Sequence, residues 1–272
     1  MKKIKIPDAP NSIQKGVPLK NLLGEEAVVQ LGKNIRCVYP EFESSAFVKA
    51  SLEDIEPLGI MDRGRHIAIK MRDYLPKNYS DAIAILLKSL TPPLEKTEDN
   101  GLAGLFYMPH NSFVSEFGLD DFETSIKAQY ELTKRFTCEY PIRPFIKKYE
   151  KRTMETLYSW MYDEDPHVRR LCSEGTRPRL PWSTKIDAFV KDPTPSIQIL
   201  EHLKNDPDLY VRRSVANHVG DIAKDHLDLA LDLCENWLDG ASAELKWVIR
   251  HAVRNPIKKG NERAVELRFK AK

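Results

Sequence analysis

Asp165-Pro166-His167-Val168-Arg169-Arg170-Leu171 and Asp206-Pro207-Asp208-Leu209-Tyr210-Val211-Arg212-Arg213-Ser214-Val215-Ala216-Asn217 are the stretches that decide the fold. Each joins an Asp-Pro start to a Val-Arg-Arg step. A looser third copy runs Trp247-Val248-Ile249-Arg250-His251-Ala252-Val253-Arg254-Asn255. The copies recur at about forty residues, the length of a repeat made from a pair of helices. Asp before Pro caps a helix start, and Pro is tolerated in the first turn because its missing N–H would have no partner there. The valines then face a core and the arginines stay available at the surface.

Outward from these copies the same character continues. Helical spacing of apolar residues marks 119–136, 138–149, 151–161, 166–174, 182–190, 194–204, 207–218, 221–226 with 228–238, 242–254 and 260–270. Upstream, Leu19–Leu31, Ala46–Ile60, His66–Tyr74 and Asp81–Leu90 read as helices too. Thr91–Asn111 carries Pro92, Pro93, Gly101, Gly104 and Pro109 and reads as a long connection, with Leu102–Phe106 able to pack or form a short helix. Residues 1–18 hold Pro7, Pro10, Gly16 and Pro18 without periodicity and read as a flexible leader. Short connections and no strand pattern predict an all-α chain, a HEAT-like-repeat α-solenoid with a basic concave surface, as a single domain over 19–272.

Composition fits that class. The 272 residues are 42% hydrophobic and 30% charged, with only 12 glycines, which suits helices with one apolar and one solvated face. No run approaches the roughly eighteen apolar residues of a membrane span, and no apolar stretch follows the basic start as in a secretory signal. A cytoplasmic protein acting at the nucleoid, with no membrane contact, is expected. Cys37, Cys138, Cys172 and Cys234 are scattered, with no CxxC pair and no His at ligand spacing, so reduced thiols and no metal are expected.

Net charge is only +2, but the charges are segregated. Between His167 and Lys185, Arg169, Arg170, Arg177, Arg179 and Lys185 face the single acid Glu174. From Lys246 onward, Lys258 and Arg250 belong to a basic run opposed by Glu262 and Glu266 alone, while acids gather in Glu95–Asp99 and Asp225–Glu235. One positive face on a nearly neutral molecule would attract a phosphate backbone.

Three further stretches carry a family resemblance: Phe136–Phe145 (FTCEYPIRPF), Ser173–Trp182 (SEGTRPRLPW) and Tyr210–His226 (YVRRSVANHVGDIAKDH). With Pro18–Asn21 and Asp62–Ala68 they resemble the AlkC branch of the HEAT-like-repeat AlkC/AlkD DNA glycosylases. The resemblance reaches loops as well as repeats and spans nearly the whole chain beyond the leader. It implies a solenoid that cradles alkylated duplex DNA and hydrolyses the N-glycosidic bond of cationic bases such as 3-methyladenine, without cofactor or metal. No obligate protein partner is expected, and a monomer is the simpler expectation for a solenoid that encloses duplex. Some members carry an additional immunoglobulin-like domain, which is expected to be absent here.

The resemblance also places the site at Glu139, Glu174, Asp221 and Trp182. An alkylated purine is already cationic, so its departure demands stabilisation of positive charge growing on the sugar and an oriented water. Asp221 is assigned to the water, Glu139 and Glu174 to the charge, and Trp182 to the damaged nucleotide. Each has another reading: Asp221 as a helix N-cap after Gly220, Glu139 at a helix start, Glu174 as a solvated partner of a nearby Arg, Trp182 as a core anchor. The expected phosphate contacts are Arg143, Arg169, Arg170, Arg177, Arg179, Arg212, Arg213, Arg250 and Lys258, although arginines of such repeats also bridge within the solenoid. A non-catalytic binder of DNA structure and a protein-interaction scaffold are the competing functions.

Overall fold

A computed structural model describes residues 4–272, so the first three residues of the expected leader lie outside it. The regular elements of the described residues are all helical. They form two compact units, Met1–Pro141 and Ile142–Lys272.

The first unit holds α1 (Glu25–Val38), α2 (Ser44–Leu52), α3 (Ile60–Tyr74), α4 (Tyr79–Lys88), α5 (Met108–Phe117) and α6 (Phe122–Thr133). α1 packs on α2 and α3 on α5 around Val28, Ile35, Phe47, Ala68, Met71, Phe113 and Val114, all buried. Burying each of these side chains larger than Ala68 contributes about 1.5–3 kcal/mol. Helix boundaries shift from the sequence reading where the backbone forbids continuation. Leu19–Leu23 is a separate 3₁₀ turn that stops at Gly24, and Asp54, with φ of +56°, separates α2 from α3. Ala103–Tyr107 is the short helix expected within the long connection. Asn34 donates to the Lys5 carbonyl at 2.7 Å, tying the segment before residue 18 to α1.

The second unit holds α7 (Ile142–Lys148), α8 (Glu150–Trp160), α9 (Pro166–Gly175), α10 (Asp187–Lys191), α11 (Thr194–Leu203), α12 (Leu209–Ile222), α13 (Leu227–Asn236), α14 (Ala243–Ala252), α15 (Arg254–Lys258) and α16 (Glu262–Lys270). α12 lies between α9 and α14, and α8, α11 and α13 pack beside them, giving the successive helix pairs of an α-solenoid. On α12 the core stripe is Val211, Val215, Val219 and Ile222, spaced by four, four and three residues.

The repeat is visible atom by atom. Asp165 caps α9 by accepting from His167 N at 2.8 Å, and Asp208 caps α12 by accepting from Tyr210 N at 2.8 Å. Two residues before each cap, Asp163 and Asp206 accept from the cap's own N–H at 2.8 Å. Four residues after each cap, Arg169 and Arg212 donate Nη1 to the carbonyls that precede the helix. The register therefore pairs Asp165 with Asp208, not with the Asp206 that precedes Pro207. In the third copy Ser242 is the cap, accepting from Leu245 N at 3.2 Å.

Three sequence readings are corrected. The helix expected from residue 138 starts at Ile142, because Pro141 disfavours helical backbone at Tyr140. The helix expected from residue 182 starts at Asp187, since Pro181 and the positive φ of Trp182 (+67°) hold 176–186 as a loop. The break expected at Gly220 does not occur. α12 runs through it to Ile222, so Asp221 lies in the last turn and is not an N-cap.

Candidate functional site

Three polar stripes run along neighbouring helices of the second unit, at equivalent positions of the repeat. Five and nine residues after their caps stand Arg170 and Glu174 on α9, Arg213 and Asn217 on α12, and Trp247 and His251 on α14. One turn further come Arg177, Asp221 and Arg254. Residues three or four apart share a helix face, so each stripe is a single line of polar groups beside an apolar core.

Cross-links join the lines. Arg177 Nε donates to Asp221 Oδ2 at 2.7 Å, and its Nη1 donates to Glu174 Oε1 at 2.5 Å. Glu174 Oε2 accepts from the Ser214 hydroxyl at 2.6 Å. Lys224 Nζ, on the exposed side, donates to Asp221 Oδ1 at 2.6 Å. Asn217 Oδ1 accepts from Arg254 Nη2 at 2.9 Å and lies 3.1 Å from His251 Nε2, whose ring stacks on Trp247. Arg170 lies 3.5 Å from Glu174 and over the Tyr210 ring.

Charge decides the protonation of this cluster. Burial alone would raise the Glu174 carboxyl, but Arg170, Arg177 and the Ser214 hydroxyl outweigh it and hold it below the ordinary carboxylate range. Burial pushes the Arg254 guanidinium down, with Arg177 adding to the effect. His218, packed beneath the cluster, is lowered to about 4 by burial and then by Arg177. Its Nδ1 is 2.9 Å from the Ser173 carbonyl, so that nitrogen carries the proton.

Trp182 is neither helical nor in the core. It is 71% exposed on the loop 176–186 that also carries Arg177. That loop hangs on Arg143, whose guanidinium is fully buried. Arg143 donates Nε to the Thr184 carbonyl at 2.7 Å, Nη1 to Gly175 at 3.0 Å and Arg177 at 2.7 Å, and Nη2 to Pro178 at 3.3 Å. Gly175 is required where the loop leaves α9, since a Cβ there would lie 2.8 Å from Ile142 Cγ2.

Glu139 belongs to the first unit, in the segment between α6 and α7. Its carboxylate accepts from the Thr137 hydroxyl. The segment is pinned to α5: Asn111 Nδ2 donates to the Thr137 carbonyl at 2.7 Å, and the Tyr140 hydroxyl donates to the Met108 carbonyl at 2.9 Å.

Of the sequence candidates, Glu174 and Asp221 are thus brought together through Arg177, and Trp182 shares the loop of Arg177. Glu174 is buried and not a solvated residue. Arg143 and Arg177, expected at phosphate, are interior groups whose donors are spent on loop carbonyls and carboxylates. Arg169 grips Asp206 (Nε to Oδ2 at 2.6 Å, Nη2 to Oδ1 at 3.1 Å), Arg179 grips Asp225 with two 2.7 Å bonds, and Arg250 donates to the Ala271 carbonyl. Arg213 and Lys258 are exposed, and Arg212 stands at the start of α12. The sequence reading passed over Asn217, His251, Trp247 and Arg254 as site groups. The signal for Trp247, His251 and Arg254 was present in the third repeat copy, at positions equivalent to Arg170, Glu174 and Arg177, and that for Asn217 in the second, at the position equivalent to Glu174.

No family model matches the chain. The chain is 38% identical over 250 residues to the uncharacterized protein YhaZ of Bacillus subtilis (strain 168), a match spanning 92% of this chain and 67% of that protein. Among solved structures it is similar to the Pseudomonas fluorescens alkylpurine DNA glycosylase AlkC bound to DNA containing an abasic site analogue. There the TM-score is 0.84 and the identity 34%, over 92% of this chain and 67% of that one.

Proposed function

The chain belongs to the AlkC family of alkylpurine DNA glycosylases, and from that premise we propose that it excises cationic alkylated bases such as 3-methyladenine from duplex DNA by hydrolysing the N-glycosidic bond. The observation that carries this reading is the buried Glu174–Arg177–Asp221 cluster set behind a loop that presents an exposed Trp182. A cationic base leaves without needing a strong acid, and Glu174 and Asp221 are both held in ion pairs. What the cluster provides is two carboxylates held in fixed positions by ion pairs in a water-poor setting, where charge acts more strongly than in solvent.

The roles divide by accessibility. Both Glu174 oxygens are occupied and the residue is 5% exposed, so it acts on charge alone and orients Arg177 toward Asp221. Asp221 Oδ2 is committed to Arg177, whereas Oδ1 is held only by Lys224, whose side chain is 43% exposed. A DNA phosphate that draws Lys224 away leaves Oδ1 to accept from the attacking water and to face the sugar as positive charge develops. Trp182 lies against the damaged nucleotide, where an aromatic face adds about 0.5–2 kcal/mol toward a cation. Glu139 is the further carboxylate that the family resemblance assigns to the charge on the sugar.

DNA is the partner this arrangement suits. Arg213 and Lys258 supply phosphate contacts, and the buried arginines supply none directly. Such contacts position the duplex without reading sequence. The reading is tested by incubating the protein with methylated duplex DNA and measuring free 3-methyladenine. Salt-sensitive duplex binding without base release would favour a non-catalytic binder.

A further inference from the structure

In the first unit, α1 presents cations that no carboxylate of the described residues pairs. Lys33 and Arg36 are exposed on one side of the helix. Lys5, also exposed, is held beside them by Asn34, whose amide donates to the Lys5 carbonyl at 2.7 Å. None of the three makes an ion pair among the described residues. All three line one open cavity of about 1150 Å³.

The cavity is a trough. Its floor is the α1 stripe Val29, Lys33 and Arg36, with Gln30 and Cys37 alongside, a spacing that puts these side chains on one helix face. One wall is the start of α2, where Ser44 stands so close to Gly32 that a Cβ there would lie 2.6 Å from Ser44 Oγ. The segment at Lys5 forms the other wall. α2 begins with no acid in its first turn and no side-chain cap, so its partial positive charge faces Ser44 and Ser45 unopposed. No carboxylate lines the trough among the described residues. Glu26 lies seven residues before Lys33, about 10 Å along the helix, and Glu43 precedes Ser44; both are exposed and screened by water.

We propose that this trough binds a phosphate ester of about nucleotide size. Three unpaired cations and the open end of a helix suit a compact dianion, and the long Lys and Arg side chains can close on it. A bare phosphate would leave most of the volume to water. Val29 and Val48 offer apolar contact to an organic remainder, and Gln30, Ser44 and Ser45 offer it hydrogen bonds. The trough shares no residue with Glu139, Glu174, Arg177, Asp221 or Trp182, so it is a second site, independent of base excision.

Cys37 reports occupancy, because it is exposed while Cys138, Cys172 and Cys234 are buried and burial pushes their thiols up. Its alkylation by uncharged iodoacetamide is followed by mass spectrometry in the full chain, at constant ionic strength. AMP is expected to slow the reaction saturably, inorganic phosphate more weakly, and adenosine not at all. A Lys33→Gln, Arg36→Gln double variant alters two exposed positions and is expected to fold as the wild type does. Measured against its own ligand-free rate, its protection by AMP is expected to need about tenfold more ligand, the loss of two exposed charge pairs. Absence of protection by AMP, or undiminished protection in the double variant, would overturn the proposal. So would citrate protecting as well as AMP, which would leave charge alone as the cause, or a duplex with hydroxyl ends doing so, which would assign the trough to the DNA backbone.

Discussion

Arg177 and Asp221, 44 residues apart in the chain, meet at 2.7 Å inside the second unit, and the same guanidinium reaches back to Glu174. One buried cation thereby sets the position of two carboxylates that come from different repeats. Replacing it with the similarly sized but uncharged Met leaves both carboxylates buried without that partner. Arg177→Met is expected to lower stability by about 3–5 kcal/mol, read by denaturant unfolding. Arg177→Lys, which keeps the charge but cannot span both acids with a fork, is expected to fold and to lose activity more than stability. Equal losses in the two variants would contradict a positioning role.

Two buried histidines make stability fall in mild acid. Burial lowers His110 to about 3, and burial with Arg177 lowers His218 to about 4. The unfolded chain takes up protons near pH 6.5 that the folded chain refuses, so stability is full at neutral pH and is lost as pH falls from there toward the folded values. Between pH 7 and pH 5 the expected loss is about 2 kcal/mol for each histidine. His110, whose ring nitrogens have no partner among the described residues, can be replaced by Phe; His110→Phe is expected to remove its share of the slope in unfolding free energy against pH.

Arg143 is expected to govern Trp182 from a distance. Its four carbonyl contacts brace the loop 176–186, so Arg143→Lys loses most of them while keeping the charge. The expected result is greater acrylamide quenching or altered anisotropy on the Trp182 side, resolved by comparison with Trp182→Phe. A drop in kcat for base excision should accompany it, with duplex binding nearly kept.

The cations divide into two groups that salt titration can separate. Arg213→Ala and Lys258→Ala are expected to weaken duplex binding across sequences, each reducing the slope of log K against log salt by about one. Arg169→Ala removes the partner of a 2%-exposed Asp206 side chain and is expected to act on Tm instead. An unchanged salt slope in the Arg213, Lys258 double variant would remove these two residues from the interface.

Much of this was legible in the sequence, and the rest failed for identifiable reasons. Helix pairing could be read because Asp caps, Pro first turns and Val spacing are local signals. The resemblance of whole loops singled out Glu174, Asp221 and Trp182, and the structure joins the first two through Arg177. The register between repeats misled at Asp206 because a cap is defined by backbone geometry, and Asp208 supplies it. Gly220 suggested a break, yet the helix continues because tertiary packing of Val219 and Ile222 outweighs the propensity of one glycine. Arg143 and Arg177 looked like surface cations because sequence shows charge but not the carbonyls and carboxylates that make burial tolerable.

The most direct test is the release of 3-methyladenine from methylated duplex DNA by the wild type beside Asp221→Asn and Glu139→Gln, each first shown to fold and to bind duplex. The account predicts release by the wild type and a loss of about 100-fold or more in each variant, the scale seen when a single electrostatic group is removed from a transition state. Undiminished release by Asp221→Asn, or none by the wild type with duplex binding intact, would contradict it.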